Sequence, residues 1–473
     1  MIPAIDVSKI YSTLGNNSSL VPLAVKDVAN SLGLTTGSYI VGDKLEGKDR
    51  FLDEFGTQAI WLFGLPVFKK ITDLTLYKAL KIDPKVDVRL LDNPEILDKA
   101  IELEKNDKIK KGLLNLKNNP KFSRSLALSK FGIATALTIA SYTALTKYRH
   151  KKTKEAAKKE IMAEHAKLLT AKNKFNNTRT SFGDFIKNSE NMTNNKNNNK
   201  NKTTTFTGAA GLVSKLKDFM FDPVKNLMIV DGSITTERLS ESRNKQEFIG
   251  YSIKEGATWA FMYFASKPIQ KFLEKKAVLN HNKSIDLDAR VIESEDLKNT
   301  FGNKNIIEQS LKEFPINGSD VEIYEFLHKN PDNFVVQMAK KSDEISTLGK
   351  LDNWVNKLKK KLNMSYMEVT DKNAIDTRKF IDIGNLENKS GVKGIYAKID
   401  TLYKQYQASG ENLDDFLKKV KTLKRHSVLK NLGVCIAALG VAVPAVMIAV
   451  RYLSGDKEFQ VKEDLEKEIS LDA

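Results

Sequence analysis

Twenty consecutive residues without a charge, Asn431 to Val450, read NLGVCIAALGVAVPAVMIAV. As an α-helix they would be roughly 30 Å long, the thickness of a bilayer's hydrocarbon core. No other stretch restricts the fold so strongly, because such a helix must lie against lipid or at the centre of a large protein core. Gly433, Ala437, Gly440 and Ala442 leave room for a neighbouring helix to approach closely. Pro444 is tolerated in a membrane helix. The segment is read as a transmembrane helix within 426–452.

A second candidate span is Phe131 to Thr146, FGIATALTIASYTALT. It is slightly short, but Lys130 and Lys147 can snorkel to the headgroups. The basic run Lys147 to Glu160 follows it, built of good helix formers and continuing toward Phe175. Two shorter apolar stretches, Phe55 to Phe68 and Gly256 to Ser266, suit interfacial, re-entrant or buried helices. Their Trp61, Trp259 and Tyr263 are at home either at a membrane interface or in a core.

The mean hydropathy of −0.36 excludes a protein built mostly of spans. The net charge of +17 fits nucleic acid, an anionic membrane surface or lysines flanking spans. Placement decides among them. Seven Lys/Arg fall in the thirteen residues after Thr146 and three in the thirteen before Phe131. Six precede Asn431 and three follow Val450 over the same distance. By the positive-inside rule both biases put 147–430 in the cytoplasm, with the protein integral to an inner membrane. The expected partners are therefore the lipid bilayer, anionic headgroups at the basic segments flanking the spans, and an unidentified protein, rather than nucleic acid. This topology exports the N-terminal residues although MIPAIDVSKIYSTLG is not a signal peptide.

The chain also resembles itself. A shift of 201 positions, without a gap, pairs Glu54 with Glu255, Thr57 with Thr258, Ala59 with Ala260 and Phe63 with Phe264. It further pairs Lys70 with Lys271, Asp87 with Asp288 and Arg89 with Arg290, seven identities over 43 positions. DVRLLD at Asp87 thus answers DARVIE at Asp288. In each half a short apolar helix precedes the Asp-x-Arg segment, and a candidate span follows. The expected fold is mainly α, in two diverged helical halves with one or two transmembrane helices, leaving room for a little β structure at the Asp-x-Arg segments. There the aspartate and arginine would share one face as an ion pair, or form a paired anion site if the halves faced each other. Glu54 and Glu255 are placed at helix N-termini, opposing the dipole.

The expected organisation is an N-terminal segment (1–46), a first half (47–160), a helix and polar Asn/Lys-rich linker (161–206), a second half (207–302), a helical and cytoplasmic insertion (303–425), the span, and an acidic tail (453–473). The low-complexity run Asn188 to Thr205 cannot bury a core. In the insertion, Leu351, Trp354, Val355, Leu358 and Leu362 share one face of a basic amphipathic helix. A helix break is read at Ser409-Gly410, with Asn412 as the next N-cap.

No catalytic, cofactor-binding or metal-ligating residues stand out. The five histidines, His150, His165, His281, His328 and His426, are scattered without metal-ligand spacing. Cys435 is the single cysteine, so no disulfide forms within the chain. There is no nucleophile elbow, Walker loop or dinucleotide fingerprint. The function expected is non-enzymatic: a membrane protein that scaffolds, anchors or binds a partner. The alternatives are a transporter or pore built from a duplicated unit, or a membrane-tethered nucleic-acid binder.

Overall fold

The computed structural model describes residues 7–15, 20–175, 222–343, 375–454, 461–462 and 465–466. The linker Asn188 to Thr205, the amphipathic segment Leu351 to Leu362 and nearly all of the acidic tail lie outside them. Helices form throughout, and no strand occurs among the described residues.

The helices are α1 (Val7–Leu14), α2 (Val21–Val41), α3 (Lys44–Thr72), α4 (Pro94–Leu103), α5 (Asp107–Asn118) and α6 (Pro120–Phe175). Next come α7 (Pro223–Ser240), α8 (Lys245–Thr258), α9 (Ser266–His281), α10 (Ala289–Ile292) and α11 (Glu295–Phe301). The last five are α12 (Lys304–Glu313), α13 (Asp320–Lys329), α14 (Phe334–Asp343), α15 (Gly391–Ser409) and the long α16 (Leu413–Ser454). Their starts follow from local chemistry. Asp43, Asn93, Asn106, Asp222 and Asn244 each accept a backbone N–H of the following first turn. Ser319 and Glu322 form a reciprocal capping box. The break at Ser409-Gly410 falls where expected: Gly410 ends α15 at φ +63°, and Asn412 caps α16.

Both short apolar stretches turn out to be parts of longer helices. Phe55 to Phe68 is the middle of α3, and Gly256 to Ser266 joins α8 to α9 through a π-helical turn at Trp259–Phe264. Trp61 is 3% exposed and packs with Tyr263 and Leu23.

The molecule has two parts. The first is a bundle in two layers. In one layer α16, α2, α3 and α6 lie side by side, each touching the next. The second layer is the α7–α8 hairpin, which packs on α6, α3 and the end of α16. Named contacts give the directions. Asp73 pairs with Lys130 at one end of α3 and α6, and Asp49 with Arg149 at the other, so these helices are antiparallel. Leu23 shares a cluster with Trp61, while a side chain at Gly47 would strike Tyr39, so α2 and α3 are antiparallel too. A Cβ on Gly33 would collide with the carbonyl of Gly440, and Gly37 faces Pro444 and Ile448, so α16 runs parallel to α2 and to α6.

The two candidate spans therefore point the same way. Lys147 and Lys430 lie at opposite ends of the bundle, whereas a common side for 147–430 with both segments crossing would need antiparallel spans. Among the described residues one helix, α16, is long and apolar enough to cross a membrane: its most apolar window has a mean hydropathy of 2.5 and is only 22% buried.

The second part is a helical domain at the end where α16 begins. One core joins Leu90, Ile96 and Leu113 to Ile323, Tyr324, Val335 and Val392. The adjoining core holds Val291, Ile292, Leu297, Phe301, Leu402 and Phe416. Helices on either side of the expected boundary at 303 thus share both cores.

The Asp-x-Arg segments are not extended. Val88–Asp92 is a 3-10 turn and Ala289–Ile292 a single α-helical turn. The reason is the aspartate, which caps each turn by accepting the arginine's own N–H at 2.9 Å, a geometry that favours helix initiation over a strand.

Candidate functional site: ions between the layers

In α3, Asp49, Asp53 and Thr57 recur every fourth residue, one turn apart on one face. In α8 Glu247, Tyr251 and Glu255 follow the same spacing, with Lys254 beside them. These faces meet across the two layers, with Tyr142, Arg149 and Thr153 from α6 and Arg238 from α7. Arg238 is 4% exposed. Its guanidinium donates to Glu255 at 2.5 Å, Tyr142 Oη at 2.9 Å and Thr57 Oγ1 at 3.0 Å. Tyr251 Oη donates to Asp53 Oδ2 at 2.9 Å. Lys254 bridges Glu54 at 2.9 Å and Glu255 at 3.2 Å.

Toward the outer end of the bundle, Asp49 accepts Thr153 Oγ1 at 2.5 Å and Arg243 at 2.7 Å. Arg149 reaches Asp49 and Glu247, each at 3.3 Å. Arg451 of α16 clasps Glu46 at 2.7 Å.

The electrostatics follow from this pairing. Burial alone would raise the Glu247 carboxyl, but Arg243 and Arg149 override it and hold its pKa at about 2. His150, half-buried, is pushed down to about 4 by burial and then by Arg149 and Arg243. Burial opposes the charge on Arg149, yet Asp53, Asp49 and Glu247 hold its pKa well above the usual guanidinium range. A network this closely paired holds helices in place, while burial pushes the neighbouring Asp27 and Asp231 carboxyls up to about 7 and about 8. A cavity of about 100 Å³ opens beside it, lined by Leu34, Gly37, Arg50, Glu247, Met447 and Arg451. A larger one, about 480 Å³, lies at the domain end between Tyr77, Asp83, Lys111 and Asn115. Among the described residues no group of His, Cys, Asp and Glu is arranged to hold a metal ion.

Glu54 and Glu255 do not sit at helix N-termini. Glu54 lies mid-way along α3 and Glu255 near the end of α8, and both bind Lys254. The Asp-x-Arg pairs are not brought together either. Asp87 holds Arg89, whose guanidinium lies 4.7 Å from the Phe380 ring centre. Arg290 pairs with Asp288 and reaches the carbonyl of Ser342.

A third copy of this arrangement escaped sequence reading. Asp376 accepts the N–H and the guanidinium of Arg378, which also pairs with Asp83 at 2.9 Å. The backbone N–H of Asp87 donates to the carbonyl of Arg378 at 2.9 Å, joining the first hook to the third.

The outer surface of the bundle is the reverse of its interior. Val434, Val441 and Val446 on α16 are 49%, 68% and 50% exposed. Leu32 and Ile40 on α2, Phe63 and Val67 on α3, and Ile133 and Leu137 on α6 continue this apolar surface across the layer. No known protein family, curated protein or solved structure matches the chain.

Proposed function

We propose that this is a non-enzymatic, membrane-seated scaffold: the α16–α2–α3–α6 layer rests its outer face in one leaflet, and the helical domain is held in the cytoplasm to bind a protein partner. The observation that carries this reading is the exposure of α16. A core helix of mean hydropathy 2.5 would be mostly covered, but this one is 22% buried. Apolar side chains covering four adjacent helices imply that something apolar covers them.

Chain direction favours a seat on one side over immersion all round. α6 leaves the bundle at the end opposite to the start of α7. The residues between them include the polar run Asn188 to Thr205, which cannot pass through hydrocarbon. With the α7–α8 side in water, that connection never meets the bilayer. The same arrangement removes the need to export the N-terminal residues and leaves 147–430 on the cytoplasmic side of an inner membrane.

The duplication is proposed on two grounds. Both Asp-x-Arg segments form capped turns followed by short helices. In addition α3 and α8 lie parallel, with contacts between residues about two hundred apart: Asp53 with Tyr251, Glu54 with Lys254, and Trp61 clustered with Tyr263. A transporter is the second reading, favoured by ionisable side chains inside the bundle; against it, Asp53, Arg238, Lys254 and Glu255 are paired with one another.

The test is carbonate extraction of membranes from expressing bacteria, followed by protease treatment of intact spheroplasts. The protein should stay in the pellet, and the connection between α6 and α7 should be cut only after the membrane is opened. Recovery in the supernatant would overturn the membrane seat. Cleavage in intact spheroplasts would overturn the one-sided topology.

A further inference from the structure

We infer that the exposed face of α6 beyond Thr146 is a binding surface for the anionic headgroups of the membrane on which the bundle rests. This rests on the membrane-seated reading above and adds a preferred lipid charge.

α6 keeps one phase from end to end. Phe131, Ala134, Thr138, Tyr142, Thr146, Arg149, Thr153, Ala157 and Ile161 are all buried. They repeat every three or four residues, so one stripe faces α3 and α7 along the whole length. Half a turn away lie Ile133, Ala136, Leu137, Ala140 and Ala144, an apolar outward face. On the same line, starting at Lys147, the face becomes Lys147, Lys151, Lys154 and Lys158. The first three are exposed and the last is half-exposed. One acid borders the row: Glu155 lies 3.2 Å from Lys152, off the line, and 4.0 Å from Lys151, on it, while Glu164 turns to Lys462 at 3.1 Å.

Like charges three and four residues apart repel along a helix. Here they form a row roughly 16 Å long at 1.5 Å per residue. An anionic surface relieves that repulsion. The basic row continues the apolar face without changing side, so a helix resting on a bilayer by Ile133 and Leu137 lays these lysines among the headgroups. Their butyl stems cover apolar surface while the ammonium groups stay wet. Lysines near an anionic surface are drawn to it, an attraction that falls off within a Debye length of about 8 Å at physiological ionic strength. Four lysines acting in part should raise partitioning at least tenfold.

The experiment is cell-free synthesis of the full chain with vesicles of phosphatidylcholine alone, or with about 30% phosphatidylglycerol, followed by flotation. Wild type should float with both and partition at least tenfold more strongly to the anionic vesicles. The quadruple variant K147Q/K151Q/K154Q/K158Q should float with neutral vesicles as wild type does, and lose the anionic gain. Lys→Arg at the four positions should keep it, and 0.5 M salt should remove it from wild type. An anionic preference unchanged in the Gln variant would overturn the inference and leave the membrane seat standing. So would tighter binding of a single-stranded oligonucleotide that the Gln variant loses instead. Failure of wild type to float with either vesicle would instead sink the membrane-seated reading itself.

Discussion

The bundle and the helical domain are made of the same kind of helix and both bury ions, Arg238 in one and Arg378 in the other, and they differ in what their outer surfaces carry. In the domain, Leu113, Ile323 and Val335 are fully buried, while Lys298 and Asp414 pair across an exposed surface. In the bundle, Asp53, Arg238, Lys254 and Glu255 are buried, while Val441 and Phe63 face outward. Burying an ion is costly, so a helix does so only when a partner ion meets it and its other face has somewhere apolar to go. The contrast teaches that periodicity alone does not say which face of a helix turns inward. The surroundings of the whole layer decide.

The sharpest way to break the contrast is to unpair an ion in the bundle. Arg238→Met leaves Glu255 and Asp53 short of a partner and should cost about 3–5 kcal/mol. Unfolding followed by Trp61 and Trp259 fluorescence in a Trp354→Phe background would show it. Adding Glu255→Met should recover part of the loss, and a loss below about 1 kcal/mol would mean the network is not closely coupled.

In the domain the corresponding cut is apolar. Leu113→Ala should cost about 2–4 kcal/mol by opening a cavity, with the fluorescence transition of the bundle left in place. A shift of both transitions together would show that the two parts unfold as one.

Acid separates the regions next. Glu247 is depressed in the folded state, so its stabilisation is complete above its unfolded value near 4.5 and is lost as pH falls toward about 2. His150 is also depressed. It is neutral when folded, so its contribution is full above pH 6.5 and is lost as pH falls toward about 4. His150→Gln should flatten the bundle's stability between pH 6.5 and 4, an effect of about 2 kcal/mol or less for a half-buried group. An unchanged acid profile in the variant would rule out His150 as its source.

The smallest effect on stability falls on the outer face. Val441→Asn should move stability in detergent by no more than about 0.5 kcal/mol, yet lower flotation with neutral vesicles. Equal flotation would show that this face does not touch lipid.

Much of this organisation was legible in the residues. The apolar run at Asn431, the helix continuing from Lys147 toward Phe175 and the cap at Asn412 all rest on signals local in sequence. The ion network does not. Asp53 meets Tyr251 and Arg238 at separations of 198 and 185 residues, and no local rule pairs them. What the chain did display was Asp49, Asp53 and Thr57 one turn apart, polar residues on one face of an otherwise apolar helix. DVRLLD reads as strand-like, but its capping aspartate starts a helical turn instead. The third hook, Asp376-Thr377-Arg378, was visible as the same triplet but lay outside the 201-residue shift.

Arg378 and Asp83 are 295 positions apart along the chain, yet they close the same core as Leu90 and Leu113. A ribosome delivers the amino-terminal part of that core long before the carboxy-terminal part exists. Until α13 and α14 emerge, the apolar sides of α4 and α5 lack most of their core, and residues beyond 375 close it last, over a loop whose closure is slow. The domain is therefore completed after most of the chain has been made, around a bundle whose amino-terminal helices are already available. A chain stopped after α9 should therefore leave the apolar sides of α4 and α5 exposed to aggregation.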